Sequence, residues 1–526
     1  ISKIGEKITI GKSKTTKTSK NVSKKKKREP KLTDLDSPDI RQVYPFVKDK
    51  IRPDSWKLSN RVAFLDWFDN TFNFKKKRTY SKDSCKCTDE ICDIYKNVKL
   101  FPQQRIVRDF FQLNSPYRGL LLFHGLGVGK TCASIAISED MMYDRDVLFM
   151  SKTSLEQNFR NELRFCGNEY YNKSNHWKFI ECPKGSSLYS KCVSKGIAEK
   201  AINKNKGAWF IDNSKKSPKY NNLSDSEQTQ IQYQIKCMIN KKYSFMHLDN
   251  TKLGVKIGNM KHNPFDNKLL IIDEIHNLTN SMATGSNIAS IIEEKIMTAK
   301  NLRIVALTGT PLVNDIYEIS KLMNLLRGYI ETYIFTFTTT NLKSIAQRLM
   351  TLPVIDHIIV LESEKRIILT RNPYGFSNNS DRTKVTLNNN EQTEEAFRES
   401  FKAILSGIPY TLEVKKNTTL PDDREIFYDY FYDDSDNSLR NINLFKARIN
   451  GLVSYYRTGG QELMPDVIPN DPIKVPMSEF QFKTYLDIRI EEQEKEVYKD
   501  KPRKKKKKKA TKVGQDVDDA DNIFNI

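Results

Sequence analysis

The sequence contains no apolar run that approaches about 18 residues, so it predicts no membrane-spanning helix and no membrane partner. Hydrophobic residues make up only 38% of the 526 residues, and the mean hydropathy is -0.60. These values are low for one compact fold, so we expect part of the chain to be disordered. A secretory signal and an initial Met are also missing, which predicts a fragment or a processed product.

Acidic residues are too few to balance the basic ones, and the net charge is +22. Residues 1–32 and 499–512 carry +10 and +9 of it, so the rest of the chain is nearly neutral. Dense Lys/Arg runs repel one another and do not pack. We therefore expect a disordered basic arm over residues 1–38 and a charged disordered tail over residues 499–526. Such segments bind phosphate backbones without sequence preference, act as localisation signals, or only keep a chain soluble.

Cysteine is sparse, with eight residues in the chain. Three of them cluster without an obvious fourth zinc ligand, so free thiols in a loop are favoured over a metal site and their role stays open. The other five are scattered singly, and we expect Cys132 to be a reduced thiol. The clustered residues are Cys85, Cys87 and Cys92, and the scattered ones are Cys132, Cys166, Cys182, Cys192 and Cys237.

Residues 124–131 form a glycine-rich segment between an apolar run, 119–123, and a helix-like stretch, 132–137. The order of strand, glycine turn, lysine, hydroxyl and helix is typical of loops that hold the phosphates of ATP, because backbone N–H groups and the helix start face the anion. Lys130 is expected to reach the β- and γ-phosphates and Thr131 to ligate Mg²⁺. The predicted nucleotide-binding residues of the loop are His124, Gly125, Leu126, Gly127, Val128, Gly129, Lys130 and Thr131.

The first position of this loop departs from the usual pattern. Glycine is expected six residues before the lysine, and His124 stands there instead. The core from Gly127 to Thr131 is intact, and loops with this variation occur in nucleic-acid-dependent ATPases. A chance match in a polar loop is the alternative, and the flanking strand and helix patterns argue against it.

A second group of polar residues follows the apolar run Leu269–Ile272, which predicts a buried strand. Ligands bind at the carboxyl ends of strands in parallel sheets. We expect Asp273 to hold Mg²⁺, Glu274 to polarise the attacking water, and His276 to couple the nucleotide site to a neighbouring element. The alternative is an ordinary strand that ends in a charged turn.

A third predicted strand, 303–307, leads into Thr308, Gly309 and Thr310. The two hydroxyls are expected to bond toward Asp273 and His276 and to relay the state of the nucleotide. An ordinary strand followed by a turn is an equally good explanation of this segment by itself.

Two weaker candidates complete the pattern. Gln104 lies 26 residues before Lys130, where an amide can read the edge of adenine. Ser151, Lys152 and Thr153 follow another apolar run and are candidate contacts to nucleic-acid phosphates, with a surface turn as the alternative.

Short Leu/Ile/Val-rich strands alternate with helical patterns over residues 100–328, which predicts an α/β fold with a parallel sheet and helices on both faces. The aromatic-rich residues 39–99 predict a small helical prelude. Residues 165–262 are polar and predict an insertion in this domain. Residues 329–498 have mixed helical and extended patterns, and no internal repeat is present.

In this order the motifs resemble those of superfamily 2 helicases and translocases, and residues 308–318 resemble the chromatin-remodeller-like branch. Four stretches resemble helicase-like proteins of large cytoplasmic DNA viruses, such as the small subunit of the poxvirus early transcription factor and its giant-virus and asfarvirus relatives. The resemblance extends from about residue 98 to about residue 490. The four stretches are 100–104, 115–125, 368–376 and 451–456.

The resemblance implies two RecA-like lobes with ATP between them, the first being 100–328, while 329–498 leads toward the second. It implies a DExH-type nucleoside triphosphatase that acts on nucleic acid in early viral transcription; DNA is favoured over RNA, and the residues themselves leave that choice open. The expected location is intracellular, in the viral factory of the host cytoplasm or in the virion.

The family's Gln-x-x-Gly-Arg-x-x-Arg helix does not occur before Ile526. A charge-stabilising arginine contributes roughly 10³–10⁵ to the rate of such phosphoryl transfers. We therefore expect weak hydrolysis unless a longer parent chain or a protein of the transcription complex supplies a second lobe. A nucleic-acid-binding scaffold with ATP as a structural switch is the alternative. A P-loop kinase or transporter ATPase leaves the residues at 273–276 and 308–311 unexplained.

Overall fold

The computed structural model describes residues 50–72, 100–125, 127–141, 144–212, 219–339, 341–388, 394–433, 438–456 and 475–499. Several sequence predictions lie outside these residues. They are the basic arm 1–38, the part of the tail beyond residue 499, the cluster of Cys85, Cys87 and Cys92, and Leu126 of the glycine-rich loop.

The strands of the described residues are β1 (Gly119–His124), β2 (Asp146–Ser151), β3 (Trp177–Glu181), β4 (Gly207–Ile211), β5 (Tyr243–His247), β6 (Lys268–Asp273), β7 (Arg303–Thr308), β8 (Ile330–Phe337), β9 (Ile355–Leu361), β10 (Arg366–Arg371), β11 (Phe376–Asn378), β12 (Val385–Leu387), β13 (Tyr410–Asn417), β14 (Tyr432–Asp433), β15 (Ser438–Leu439) and β16 (Val453–Tyr456). In this part of the chain, six of them form one parallel sheet in the order β16-β1-β7-β6-β2-β5.

The helices of the described residues are α1 (Phe64–Phe72), α2 (Pro102–Phe110), α3 (Lys130–Met141), α4 (Thr153–Cys166), α5 (Ser187–Ser194), α6 (Glu199–Asn205), α7 (Asp225–Lys242), α8 (Leu253–Gly258), α9 (His276–Ala283), α10 (Asn287–Thr298), α11 (Glu318–Arg327), α12 (Leu342–Leu349), α13 (Glu394–Ile404), α14 (Arg424–Phe431), α15 (Ile442–Ile449) and α16 (Glu479–Lys499).

Helices cover both faces of the parallel sheet, because its strands are apolar on both sides. Leu270 and Ile272 of β6 pack into one core with side chains of α8 to α11. Leu269 and Ile271, which alternate with them, are equally buried on the opposite face, where α3 contacts β6 and β7. Continuous apolar strands of this kind form the centre of doubly covered parallel sheets. The predicted α/β fold is confirmed.

The described part of the N-terminal prelude packs against α2, where Phe64 contacts Phe110, and against the segment between α2 and β1. Phe64 of α1 and Trp56 are almost fully buried, and their rings contact Tyr117 edge-on at 6.3 and 5.8 Å. Edge-to-face contacts between such rings add to the free energy that their burial contributes. Arg61 also donates to Asp356, so the prelude reaches the part of the chain beyond residue 330.

The polar stretch 165–262 is only partly an insertion. It contains the antiparallel pair β3–β4 and the helices α5 to α7. Its later part supplies β5, which pairs with β2 at the edge of the main sheet. The predicted insertion therefore includes one strand of the lobe. This strand, Tyr-Ser-Phe-Met-His, is short and mixed in polarity, so its sequence pattern did not distinguish it from a loop.

Residues 330–417 build a second sheet, which is antiparallel and has the order β13-β8-β10-β9 within the described residues. Its core contains Tyr333 and Phe335 of β8 and Phe397 and Phe401 of α13, all fully buried. The chain then returns through α14 and α15 to β16, which pairs with β1 in the parallel sheet. The boundary predicted at residue 328 leaves β16 out of the lobe. The sequence did not reveal where this strand belongs, because β16 pairs with a segment more than 300 residues earlier in the chain.

Helix α16 exposes most of its apolar side chains, including Phe480, Phe482 and Ile488. None of the helices in the described part of the chain combines the length and the apolar character that crossing a bilayer requires.

Candidate nucleotide site

The glycine-rich loop connects the end of β1 to the start of α3. Gly127 and Gly129 have φ values of 74° and 79°, a left-handed conformation that side chains with a Cβ rarely adopt. A Cβ on Gly129 would also lie 2.3 Å from Nε2 of Gln104. Two glycines of the loop are therefore required by its backbone conformation, and one of them by a close neighbour as well.

Lys130 is the first residue of α3 and reaches back over the loop. Its ammonium donates to the carbonyl oxygens of His124 and Gly125, both at 3.1 Å. Thr131 follows in the first turn of the helix and is half-exposed. The start of α3 therefore places an ammonium and a hydroxyl beside the backbone carbonyls of the loop.

His124 is fully buried, which explains how it stands at a position where glycine is usual. Its Nε2 lies 2.9 Å from Oγ of Ser454 in β16, and the N–H of Gly125 donates to the carbonyl of Tyr456 at 3.0 Å. Burial and then the charge of Lys130 lower the pKa of His124 to about 4, so the ring is neutral near pH 7. Strand β16 thus fixes the first turn of the loop. Sequence reasoning missed Ser454, although it lies in one of the stretches that resemble viral helicases.

Gln104 braces the loop from the other side. Its Oε1 accepts the N–H of Phe101 at 2.9 Å, and its Nε2 donates to the carbonyl of Gly129 at 3.0 Å. Gln103 makes a longer contact of 3.5 Å from Nε2 to the carbonyl of Val128. Both ends of the Gln104 amide are therefore engaged with the protein backbone, whereas the sequence predicted that this amide reads adenine.

Asp273 and Glu274 lie at the carboxyl end of β6, and the backbone turns sharply there, with φ of 49° at Glu274. The N–H of Glu274 donates to Oδ1 of Asp273 at 3.1 Å. Burial, and then the Glu274 carboxylate, raise the pKa of Asp273 to about 6, while the charge of Lys130 acts in the opposite direction. In the parallel sheet only β7 separates β1, which leads into the Lys130 loop, from β6, so the loop and the two acids lie at the same carboxyl edge.

Glu274, His276 and Thr308 form a small polar network between the ends of β6 and β7. Nδ1 of His276 lies 2.9 Å from Oγ1 of Thr308 and 3.2 Å from Oε2 of Glu274. The Thr308 hydroxyl also lies 3.3 Å from that carboxylate oxygen and accepts the N–H of Thr310 at 3.0 Å. Gly309 lies between the two threonines. A movement of the Glu274 carboxylate would therefore change hydrogen bonds at the end of β7.

The three candidate nucleic-acid contacts after β2 differ in their surroundings. Ser151 is fully buried and donates to the carbonyl of Lys152. The hydroxyl and N–H of Thr153 both bond the carboxylate of Asp249, at 2.8 and 3.1 Å. Lys152 is exposed at the start of α4. Asp249 therefore caps this helix, and no sequence pattern connected it to Thr153.

No known protein-family profile matches the chain. It is 28% identical over 274 residues to the "Putative ATP-dependent RNA helicase R563" of Acanthamoeba polyphaga mimivirus, covering 51% of this chain and 40% of that protein. It is 24% identical over 232 residues to the "Putative helicase 009L" of Frog virus 3, covering 43% and 20%. It is 26% identical over 219 residues to the termination factor NPH-I homolog of African swine fever virus, covering 40% and 23%.

Among solved structures, the SWI2/SNF2 ATPase core of Sulfolobus solfataricus in complex with dsDNA matches 43% of this chain and 36% of that one, with 16% identity and a TM-score of 0.24. The chain spans 40% or less of the length of the viral relatives given above. The resemblance to helicases of large DNA viruses that the sequence predicted is confirmed by these relatives.

Proposed function

We propose that the chain is the ATP-binding part of a superfamily 2 helicase or translocase of viral type, which hydrolyses ATP while acting on nucleic acid. The observation that carries this proposal is the convergence of the Lys130 loop, the Asp273–Glu274 pair and the Thr308 network at the carboxyl ends of neighbouring strands. Ligands bind at this edge of parallel sheets.

The loop suits a triphosphate because its glycines, its helix start and Lys130 all present positive charge or N–H groups. In the proposed complex the phosphate oxygens replace the carbonyls to which Lys130 now donates. Thr131 and Asp273 would hold Mg²⁺, which offsets the charge of the phosphates. Asp273 fits this role because its burial next to Glu274 leaves its negative charge poorly compensated by the protein.

Glu274 is proposed to orient the attacking water, because it lies one residue beyond the proposed magnesium ligand. Its carboxylate is held by the hydroxyl of Thr308 and by His276. The same bonds would transmit a change at the γ-phosphate to Thr310 and to the segment after it. This is the proposed coupling between hydrolysis and movement on nucleic acid.

The proposed partner is DNA, as the resemblance of residues 308–318 to the chromatin-remodeller branch implies, although two mimivirus relatives are named RNA helicases. Exposed Lys152 and the basic segments at both ends of the chain are the proposed phosphate contacts. We propose a role in early viral transcription, in the viral factory or the virion, together with a second lobe or another transcription protein.

The first test is the replacement Lys130→Ala. We expect loss of ATP binding, or a fall in hydrolysis of about 100-fold or more, because the ammonium that faces the phosphates is removed. Isothermal titration calorimetry and a phosphate-release assay measure the two quantities. Lys200→Ala, at an exposed position on α6, is the matched control and should behave as the unmodified chain. Unchanged ATP binding by the Lys130 variant would contradict the proposed site.

The second test is Glu274→Gln, which keeps the size of the side chain and removes its charge. ATP should still bind, and single-turnover hydrolysis should fall by about 10²–10⁴ because water is no longer activated. Glu364→Gln, on an exposed turn, is the control. Hydrolysis at the unmodified rate in the Glu274 variant would remove this residue from the mechanism.

A scaffold that binds nucleic acid and uses ATP as a structural switch is the second candidate function. The basic segments 1–32 and 499–512 favour it, because they can hold phosphate backbones without a motor cycle, while two of the three candidate contacts in the lobe, Ser151 and Thr153, already bond protein acceptors. ATP binding without any turnover stimulated by nucleic acid would support this candidate over a motor.

A further inference from the structure

Cys132 and Cys166 form a disulfide, whereas the sequence predicted scattered single cysteines and a reduced Cys132. Their Cα atoms are 5.5 Å apart, within the usual range for such bonds. Cys132 lies in the first turn of α3, directly after Thr131, and Cys166 is the last residue of α4. The sequence did not predict this pair, because only the packing of α3 against α4 brings the two residues together.

Glu162 lies one helical turn before Cys166 and contacts both sulfurs. Its Oε2 is 3.3 Å from Sγ of Cys132 and 3.5 Å from Sγ of Cys166. Burial raises the pKa of Glu162, so its carboxylate accepts a proton more readily than one in water. In the reduced form this oxygen is an acceptor for the thiol hydrogens, so the site accommodates both oxidation states.

A second pair of cysteines provides a contrast. Sγ of Cys182 and Sγ of Cys192 are 3.8 Å apart, and both residues are buried. The Cys182 thiol also donates to the carbonyl of Ile180. Burial, and then the neighbouring Cys182, raise the pKa of Cys192 to about 12, so this pair stays protonated. Cys132, by comparison, is only half-buried, and the carboxylate next to it can accept a thiol proton.

The Cys132–Cys166 bond lies where it can affect the glycine-rich loop. The bond joins the helix that starts in the glycine-rich loop to the end of α4, whose own start follows exposed Lys152. Cross-links restrict the motion of the segments that they join. The bond therefore restricts how freely the first turn of α3 can move relative to α4, and its reduction would remove this restriction.

We propose that Cys132, Cys166 and Glu162 form a reversible redox site, oxidised by hydroperoxides and reduced by dithiols, which controls the affinity of the adjacent loop for nucleotide. The effect on nucleotide rests on the proposed function; the redox chemistry itself does not.

In the oxidation step, the sulfur of Cys132 attacks the terminal oxygen of a hydroperoxide. The O–O bond breaks, the thiol proton of Cys132 passes to the departing alkoxide, which leaves as an alcohol, and Cys132 becomes a sulfenic acid. The sulfur of Cys166 then attacks that of Cys132, the S–O bond breaks, and water leaves. Glu162 takes the thiol proton of Cys166 and delivers it to the departing hydroxide. A dithiol restores both thiols by supplying two electrons and two protons through a mixed disulfide.

The experiment is a redox titration of the full chain in dithiothreitol buffers, followed by alkylation and peptide mass mapping. We expect one two-electron transition for the Cys132–Cys166 pair, which is absent in Cys166→Ser and retained in the control with Cys182→Ser and Cys192→Ser. Glu162→Gln should slow oxidation by tert-butyl hydroperoxide about 10-fold. Oxidation should raise the Tm by about 3–4 °C, because the bond closes a loop of 34 residues.

The effect of oxidation on nucleotide affinity is measured as the KM for ATP of the oxidised and the reduced forms. The two KM values should differ about 3-fold or more in the unmodified chain and in the control, and they should be equal in Cys166→Ser. Equal KM values would overturn the proposed effect of oxidation on nucleotide affinity. Full alkylation of Cys132 and Cys166 at every potential would overturn the redox site. If the reduced chain bound one Zn²⁺ and the Glu162→Gln variant did not, the redox site would be overturned in favour of a metal site. A normal redox transition in a chain that binds no ATP would contradict the proposed function alone.

Discussion

At the scale of single residues, the most instructive position is His124. Its departure from glycine looked like a weakness of the loop in the sequence. In the structure the ring is buried and bonded to Ser454, and its neighbour Gly125 is bonded to Tyr456. A side chain is tolerated here because a strand from far along the chain surrounds it.

Glu139 is a second residue whose environment could not be read from the sequence. It is fully buried in α3, and the Tyr243 hydroxyl donates to it at 2.8 Å. Burial raises the pKa of Glu139 to about 7, against an ordinary value of 4.5. The folded chain therefore holds a proton that the unfolded chain has lost between these two values. As a result, this group lowers the free energy of unfolding as the pH rises from about 4.5 to above 7.

We predict that Glu139→Gln stabilises the chain at pH 8.5, by up to about 3 kcal/mol, and has little effect at pH 4.5. The amide oxygen can still accept from Tyr243, and the buried charge is gone. Chemical denaturation at the two pH values measures the difference. Glu395→Gln, exposed on α13, is the control and should stay within about 0.5 kcal/mol at both. Equal effects of Glu139→Gln at both pH values would contradict this account.

At the scale of secondary-structure elements, the decisive strand is β16. It covers the edge of β1, the strand that leads into the glycine-rich loop, over four paired residues. An uncovered strand edge leaves its N–H and C=O groups without partners and promotes aggregation. The loop is therefore stabilised from a segment that follows the entire antiparallel sheet.

This strand can be tested with two truncated chains. A chain that ends at residue 456 should retain a cooperative thermal transition, because all the strands of the parallel sheet are present. A chain that ends at residue 450 lacks β16 and should lose several kcal/mol of stability together with ATP binding. Circular dichroism and calorimetry compare the two. Equal melting temperatures would show that β16 does not support the loop.

At the scale of the whole molecule, charge is distributed unevenly along the chain. Residues 1–32 and 499–512 carry +10 and +9 of the net +22, while the last segment, 513–526, contains four Asp and no basic residue. Basic segments bind nucleic acid with an affinity that falls steeply with salt, because counterions are released from the phosphates.

We predict that deleting residues 1–32 and 499–526 lowers the affinity for duplex DNA about 10-fold or more at 50 mM salt and leaves ATP binding unchanged. The slope of log affinity against log salt should become shallower by about 0.9 for each phosphate contact that is lost. Fluorescence anisotropy across a salt series gives both quantities. Deletion of 513–526 alone is the control and should not weaken binding. An unchanged slope after the larger deletion would place the contacts in the folded part.

The sequence by itself determined the features that contiguous residues encode. The apolar runs of β1, β6 and β7, the glycines and lysine of the loop, and the polar residues at each strand end are local patterns, and they predicted a parallel α/β sheet with its ligand edge. Only the tertiary structure decided which distant segments complete this framework, since short strands and single side chains acquire partners through packing. The edge strands β5 and β16, the bond of Ser454 to His124, the cap that Asp249 provides and the Cys132–Cys166 pair all depend on segments that packing brings together from separate parts of the chain.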